Sequence, residues 1–187
     1  MTQYIALLRG INVGGKNIVK MSDLKRMFEE LGLQLVQTYI QSGNVLFKSD
    51  KTEEMLRQTI EQEFASVFGF PVIVVLRTVT ELNQMIRECP FSKEAIAAAE
   101  EASAAESLYV ALLLQAPAEE SVERLNSYRS KNDDFCIQRR DVYLLFHHSI
   151  RVSKLANNLS KLDVPMTVRN WKTVTKLTQL AAAAKDK

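Results

Sequence analysis

An order of strand-like and helix-like patterns occurs twice along this chain of 187 residues, and it constrains the fold more than any other feature. Each copy is roughly ninety residues long and predicts the order β-α-β-β-α-β-α. In a split βαββαβ unit, four antiparallel strands lie under two helices. The sequence therefore predicts an α+β protein of two ferredoxin-like (αβ-plait) halves related by internal duplication. Each half has an antiparallel four-stranded sheet and an added C-terminal helix.

In the first copy, the helices are marked by the spacing of apolar side chains and by capping residues. Apolar side chains recur at i, i+3, i+4 and i+7 from about Ser22, and Gly32 ends that helix. The pattern Thr78-x-x-Glu81 is typical of a capping box and predicts a further helix start. Strands are predicted at residues 4–9, 36–40, 45–47 and 72–76.

The second copy follows residues 93–106, which are rich in Ala and Glu and predict a helical connector. Leucines spaced along residues 155–162 predict a helix in the second copy. The predicted domains are residues 1–92 and 107–187, joined by the connector. Strands of the second copy are predicted at residues 108–114, 135–139, 142–146 and 166–169.

The first residues have neither the basic segment nor the long apolar run of a signal peptide. No apolar stretch approaches the roughly 20 residues that a membrane-spanning helix needs. We therefore expect a cytoplasmic protein with no membrane partner. Cys89 and Cys136 lack metal-like spacing, so we expect neither a metal site nor a disulfide, and no cofactor is indicated.

The net charge of +2 is too small to indicate nucleic-acid binding, but the charges are unevenly distributed. Most of the charged residues within 80–123 are acidic, whereas most of those within 137–176 are basic. Such runs are usually solvated faces, and the alternative is a binding surface. If a ligand is anionic, we expect it to meet the basic region.

Three segments carry a resemblance to a known family: residues 4–15, 39–45 and 169–177, with the sequences YIALLRGINVGG, YIQSGNV and RNWKTVTKL. Together they resemble the bacterial family 1697 of the domains of unknown function, over nearly the whole chain. The resemblance implies a two-part αβ-plait-like fold and no established activity. The chain departs from the family at Lys172, where Asn is usual, and at Cys89, where the family has the Asn of an Asn-Pro-Phe motif.

The segment Gly10-x-x-x-x-Gly15-Lys16-Asn17 follows the first strand and nearly matches a phosphate-binding P-loop. A P-loop passes directly into a helix, but residues 18–21 intervene here before the first credible helix cap. Asn17 also replaces the hydroxyl residue that would bind Mg²⁺. The sequence therefore argues against nucleotide hydrolysis.

Two interpretations of this glycine-rich loop remain open. In one, glycine amides and the cations Arg9 and Lys16 form a static anion-binding loop without turnover. In the other, the glycines serve only the backbone geometry of a turn. Asn12 and Asn17 supply more polar groups than a simple turn requires, which supports the binding interpretation.

The carboxy-terminal motif offers a second candidate anion site. Asn170 is a suitable cap for a helix that starts at Trp171, and free amides in a first helical turn attract anions. Arg169 and Lys172 add positive charge nearby. Trp171 either stacks on a nucleic-acid base or packs in a core, and the core interpretation is favoured.

We therefore expect a protein that binds an anionic, phosphate-bearing ligand, such as a nucleotide or single-stranded nucleic acid, in a cleft between the halves. The alternatives are a small-metabolite enzyme that uses the same cleft, for which the sequence identifies no general base, and a protein-interaction domain. His147 and His148 are adjacent on or just after a strand, so their side chains point apart and indicate structural roles. The candidate ligand-binding residues are Arg9, Gly10, Asn12, Gly14, Gly15, Lys16, Asn17, Ser42, Asn44, Arg169, Asn170, Trp171 and Thr173.

Overall fold

The computed structural model describes residues 1–184, and its elements follow the predicted order. The first half contains β1 (Thr2–Leu8), α1 (Met21–Glu30), β2 (Gln34–Tyr39), β3 (Asn44–Ser49), α2 (Glu53–Phe68), β4 (Val74–Thr78) and α3 (Val79–Arg87). The second half contains α4 (Lys93–Ala102), β5 (Leu108–Leu113), α5 (Glu119–Asn126), β6 (Asp133–Gln138), β7 (Asp141–Phe146), α6 (Lys154–Asn157), β8 (Met166–Asn170) and α7 (Trp171–Ala183).

The chain divides into two compact units. Among the described residues, unit 1 comprises Met1–Gln84 and residues 175–184, and unit 2 comprises Met85–Val174. The stretch predicted to be a helical connector contains α4, which lies in unit 2, where Ala99 packs with Leu108 of β5. None of the helices within residues 1–184 is long and apolar enough to cross a membrane.

The sheet of unit 1 has the strand order β2-β3-β1-β4, and neighbouring strands are antiparallel. This is the ferredoxin-like order that the sequence predicts. Alternation along β1 directs Tyr4, Ala6 and Leu8 into a core with Phe28 of α1 and Phe64 of α2. The opposite face of the sheet is buried as well, at Ile5, Leu7, Leu46 and Val75. In unit 1 we therefore expect ligand contacts on loops and not on this part of the sheet.

The sheet of unit 2 repeats the arrangement in the order β6-β7-β5-β8. On the central strand β5, Val110 pairs with Tyr143 of β7 and with Arg169 of β8. Leu125 of α5 and Leu155 of α6 belong to the core on one face. The two similar ferredoxin-like halves are thus confirmed, whereas their origin by duplication stays a prediction.

The predicted helix over residues 155–162 is wrong in length. α6 ends at Asn157, and a separate 3₁₀ turn follows at Leu159–Leu162. Asn158 Nδ2 donates to the carbonyl of Lys154 at 2.8 Å, and such a side-chain bond competes with continued helix formation. The leucines are buried in the core of unit 2, so their spacing indicates burial and not a continuous helix.

The capping box predicted at the start of α3 is confirmed. Thr78 N donates to Glu81 Oε2 at 2.7 Å, and Glu81 N donates to Thr78 Oγ1 at 3.1 Å. Gly32 follows α1 with a φ of 76°, which glycine adopts without steric cost. The start of α1 differs from the prediction, because its N-cap is Lys20 rather than Ser22 and has no side-chain capping bond.

Candidate functional site

Residues 12–17 form a small loop closed by backbone hydrogen bonds, which we call the glycine hairpin. Lys16 N donates to Val13 O at 3.0 Å across a two-residue turn. The two turn residues, Gly14 and Gly15, have φ of 59° and 73°. Positive φ at both central positions is characteristic of a type I′ turn, so the turn itself accounts for the paired glycines.

Two asparagines fix the glycine hairpin within unit 1. Asn12 Nδ2 donates to Val19 O at 3.0 Å and to Gln41 O at 2.8 Å, and Asn12 Oδ1 accepts from Val19 N at 2.8 Å. Asn17 Nδ2 donates to Gly10 O at 3.1 Å. The two side-chain amides are therefore engaged in holding the loop, which explains polar residues that a simple turn would not need.

Ser42 and Asn44 stabilise the turn between β2 and β3. Asn44 is fully buried, and its Nδ2 donates to Tyr39 O at 3.1 Å and to Ser42 Oγ at 2.9 Å. Between them, Gly43 approaches Ile11 so closely that a Cβ on the glycine would lie 2.7 Å from Ile11 Cδ1. This turn therefore positions the segment that leads into the glycine hairpin.

Arg9 and Lys16 are exposed cations beside and on the glycine hairpin. Arg9 N donates to Ile73 O at 2.9 Å, which anchors the backbone at the base of the loop. Within residues 1–184, neither cation pairs with a carboxylate. Over the same range, the amides of Gly14 and Gly15 donate no hydrogen bond. These cations and amides are the groups in this region that are open to a ligand.

The glycine hairpin differs in structure from a P-loop. Its residues 12–17 close on themselves through the bond from Asn12 N to Asn17 O at 3.0 Å. The chain reaches α1 only at Met21, after Lys20 as the N-cap. A P-loop depends on amides that lead directly into a helix N-terminus, so this geometry supports the argument against a nucleotide-hydrolysing site.

In unit 2, Asn170 caps α7 as the sequence predicts. Asn170 Oδ1 accepts from Thr173 N at 2.8 Å, and Thr173 is buried. This bond satisfies one of the free amides of the first helical turn. Lys172 Nζ lies 2.7 Å from Glu106 Oε1, and the hydrogen bond to Glu106 raises the pKa of Lys172. The carboxy-terminal motif therefore has less uncompensated positive charge than its sequence suggests.

Arg169 and Trp171 pack against other side chains of unit 2. Arg169 is only 9% exposed, and its Nη1 donates to Thr167 Oγ1 at 2.7 Å. Burial lowers the pKa of Arg169 to about 10, so the guanidinium stays charged at neutral pH. The ring centroid of Trp171 lies 6.3 Å from that of Tyr143, and the indole packs on the apolar cluster around Ala99. This packing reduces the indole surface that could stack on a base.

The structure groups the predicted residues by unit. In unit 1, the bond from Asn12 to Gln41 brings the glycine hairpin against the turn that contains Ser42 and Asn44. In unit 2, Arg169, Asn170, Trp171 and Thr173 lie where β8 passes into α7. A cleft shared by the two groups stays a prediction.

The sequence interpretation missed a cavity of about 450 Å³ in unit 2, lined in part by Asp133 and His148. The sequence indicates a structural role for His148, because neighbouring residues on a strand point to opposite sides and cannot bind one metal together. The local sequence signal for this site is the turn-like spacing of Ser130 and Asp133, whose side chains are hydrogen-bonded. The contact between Asp133 and His148 forms only in the tertiary structure. Among residues 1–184, no three His, Cys, Asp or Glu side chains form a cluster that could hold a metal ion.

Comparison with known proteins gives a family but no activity. The solved structure of the conserved bacterial protein SP0830 from Streptococcus pneumoniae is similar, with a TM-score of 0.73 and 26% sequence identity over 95% of this chain and 97% of that chain. No curated protein matches this chain. The family model described as "Protein of unknown function (DUF1697)" matches residues 1–143. The chain therefore belongs to the DUF1697 family.

Proposed function

We propose that this protein binds a phosphate-bearing ligand, such as a nucleotide or single-stranded nucleic acid, through the glycine hairpin of unit 1. The observation that carries the proposal is that two exposed cations, Arg9 and Lys16, which pair with no carboxylate in the described part of the chain, lie in the same region as the free backbone amides of Gly14 and Gly15. Cations and backbone amides are the two kinds of group that proteins use most often to contact phosphate oxygens.

The hydrogen bonds that hold the loop support this proposal. A loop that is ordered before the ligand arrives loses less conformational entropy on binding, so more of the contact energy appears as affinity. Asn12 and Asn17 provide such order, since their side chains tie the hairpin to Val19, Gln41 and Gly10. The asparagines thus act as supports, and the cations act as the contacts.

The proposed recognition depends on charge and not on base stacking. The glycine hairpin contains no aromatic side chain, and Trp171 packs in a cluster of unit 2. Phosphate contacts of this kind carry no sequence information and weaken steeply as salt concentration rises. We therefore expect binding with a strong salt dependence and little base preference.

The test is a fluorescence-anisotropy titration of a labelled single-stranded oligothymidine over a range of KCl concentrations. For single strands, each phosphate contact contributes about 0.7 to the slope of log affinity against log salt. Arg9→Ala and Lys16→Ala should each reduce that slope by about this amount. Lys51→Ala is the matched control, because Lys51 is an exposed lysine of unit 1 outside the hairpin. Absence of binding, or equal loss in the control, contradicts the proposal for nucleic acid.

A free nucleotide is tested separately by titrating ATP and following the amide resonances of the protein. Saturable shifts that Lys16→Ala weakens, combined with no oligonucleotide binding, would assign the hairpin to nucleotides. If neither titration depends on Arg9 or Lys16, the proposed function is wrong.

A second candidate function, the docking of a protein partner, is favoured by apolar side chains in the same region. Val13, Ile18 and Ile40 are 64%, 66% and 48% exposed. Ile40 also has a φ of 49°, which is strained for a β-branched residue. In a co-purification from cell extract, Ile18→Ser should lose a partner that the wild-type protein retains. Identical co-purified proteins for both baits would count against this candidate.

A further inference from the structure

The cavity in unit 2 has the size of a small-molecule site and lies in the other unit from the glycine hairpin. Its volume of about 450 Å³ is within the range of roughly 300–1,000 Å³ that small ligands occupy. One wall is formed by the segment that leads from α5 into the first residue of β6, and the other by the segment that leads from β7 into the first residue of α6. The polar and charged residues of its lining include Arg129, Ser130, Asp133, His148 and Lys154.

A buried carboxylate orients the imidazole of the cavity. Asp133 is 5% exposed, its Oδ1 lies 2.7 Å from His148 Nε2, and its Oδ2 accepts from Ser130 Oγ at 3.0 Å. Burial alone would raise the pKa of the Asp133 carboxyl, but hydrogen bonds from His148, Ser153 and Ser130 outweigh burial and hold it below its usual value. The ionised carboxylate can only accept, so His148 must carry its proton on Nε2.

The orientation of His148 leaves its second nitrogen for a ligand. In a neutral imidazole with the proton on Nε2, Nδ1 is a hydrogen-bond acceptor. Within residues 1–184, Nδ1 has no partner, and the side chain is 31% exposed.

The backbone around the pair is fixed by further hydrogen bonds. His147 N donates to Asn132 O at 2.9 Å, and Asn132 N donates to Ser130 Oγ at 3.1 Å. The carboxylate and imidazole are thus held in place by their neighbours as well as by each other. Such support is typical of sites whose geometry is set before binding.

The cavity also has one uncompensated cation. Lys154 is exposed, and in the described part of the chain it pairs with no carboxylate. Arg129 has a different role, since it pairs with Asp134 and its guanidinium lies 4.1 Å from the ring centroid of Phe135. Lys154 therefore supplies the free positive charge, and Arg129 stabilises the wall.

We propose that this cavity binds a small anion that carries a hydroxyl group, with the hydroxyl donating to His148 Nδ1 and the anionic group facing Lys154. The acceptor His148 Nδ1 and the cation Lys154 line one cavity, so they are complementary to a ligand that carries both a hydroxyl donor and an anionic group. Hydroxylated phosphate esters and hydroxylated carboxylates both have these two groups. Asp133 is a positioning residue that acts through His148. The same Nδ1 is the proton acceptor that a small-metabolite enzyme would require.

The first experiment titrates the full-length protein with glycerol 3-phosphate and, separately, with glycerate, following the imidazole carbon-bound protons by NMR. One of the two probes should give a saturable shift of His148, which distinguishes phosphate from carboxylate recognition. Glycerol offers the hydroxyl without the anionic group, and inorganic phosphate offers the anionic group without the alcohol. Each should bind at least about tenfold more weakly than the probe that shifts His148, equivalent to about 1.4 kcal/mol. No saturable shift with either anion overturns the proposal.

The variants separate binding from folding. His148→Gln keeps an amide nitrogen that can donate to Asp133 but removes Nδ1, so affinity should fall about tenfold or more while the amide spectrum stays folded. Lys154→Met should weaken binding similarly, and His147→Gln should leave it unchanged. Lys16→Ala should also leave it unchanged, which separates this site from the glycine hairpin. Wild-type affinity in His148→Gln overturns the proposal.

The role of Asp133 is tested by its dependence on His148. Asp133→Asn should weaken binding in the wild-type background but should have no further effect in the His148→Gln background. Long-range ¹H–¹⁵N spectra should show the Nε2-protonated tautomer in the wild-type protein and its partial loss in Asp133→Asn. Equal effects of Asp133→Asn in both backgrounds would show that the carboxylate acts only on the fold, and would overturn the positioning role.

Discussion

Replacing Gly43 by alanine tests the contact that positions the glycine hairpin segment. Gly43 has a φ of 75°, and a left-handed conformation costs an L-residue about 1–2 kcal/mol. The new Cβ would lie 2.7 Å from Ile11 Cδ1 and 3.0 Å from Leu8 Cβ. Leu8 Cβ cannot move without its backbone, and overpacking of this kind costs about 1–3 kcal/mol. We therefore expect Gly43→Ala to lower the free energy of unfolding by about 2–5 kcal/mol.

The matched control is Gly69→Ala, because that glycine shares the backbone conformation without the contact. Gly69 ends α2 with a φ of 78°, and a Cβ there would meet nothing within 4 Å. Only the cost of the left-handed conformation applies, so the expected loss is about 1–2 kcal/mol. Urea unfolding of both variants, followed by circular dichroism, measures the difference. If Gly43→Ala is no more destabilising than Gly69→Ala, the contact argument is refuted.

A double-mutant cycle tests whether Ile11 Cδ1 is the closest atom that the new Cβ displaces. Ile11→Val removes Cδ1, and on its own it should cost about 0.5–1.5 kcal/mol. In the Gly43→Ala background, the same truncation removes the closest overlap and leaves the contact with Leu8 Cβ, so it should cost less than it does in the wild-type protein. Strictly additive effects would mean that Ile11 is not the residue that the new Cβ displaces.

The remaining predictions concern hydrogen bonds and protonation. Asn12→Ala removes the hydrogen bonds to Val19 and Gln41 and should lower the free energy of unfolding, measured with urea, by about 2–3 kcal/mol. Asn17→Ala removes only the bond to Gly10 and should lower it by about 1 kcal/mol. The pKa of Asp133 in the folded protein is lowered from its usual 3.8, so the ionised carboxylate stabilises the fold fully above pH 3.8, and this stabilisation disappears as the pH falls through the folded pKa. Asp133→Asn should therefore make the free energy of unfolding less dependent on pH in acid, and should cost about 2 kcal/mol at neutral pH. Burial raises the pKa of Tyr143 above 10.0, so stability should fall as the pH rises past the unfolded value, and Tyr143→Phe should reduce that fall.

The fold could be predicted because its signals are local. The spacing of Leu24, Met27 and Phe28 predicts a buried helix face, and each of these side chains is buried in α1. The pair Thr78 and Glu81 lies three residues apart, so its capping bonds are encoded within one turn. Patterns of this range predict the strands and helices, and the twofold occurrence of one order predicts the ferredoxin-like halves.

The candidate site was harder to predict because its contacts join distant segments. The side chain of Asn12 bonds to Gln41, and Lys172 pairs with Glu106, so neither partner is visible in local sequence. In both cases a polar residue that suggested ligand binding is engaged within the fold. His148 shows the same limit, since its partner Asp133 lies 15 residues earlier in the chain, and the cavity that both residues line forms only in the tertiary structure.

The most direct test of the proposed function is an amide-resolved NMR titration with inorganic tripolyphosphate, which offers phosphate oxygens without a base or sugar. The chain has only 6 glycines, so the resonances of Gly14 and Gly15 can be assigned within a small set. The proposed function predicts that these amides and that of Lys16 shift most, and that Arg9→Ala and Lys16→Ala weaken the response. Largest shifts at Thr173 and its neighbours in α7, or no saturable shift in the hairpin, would contradict it.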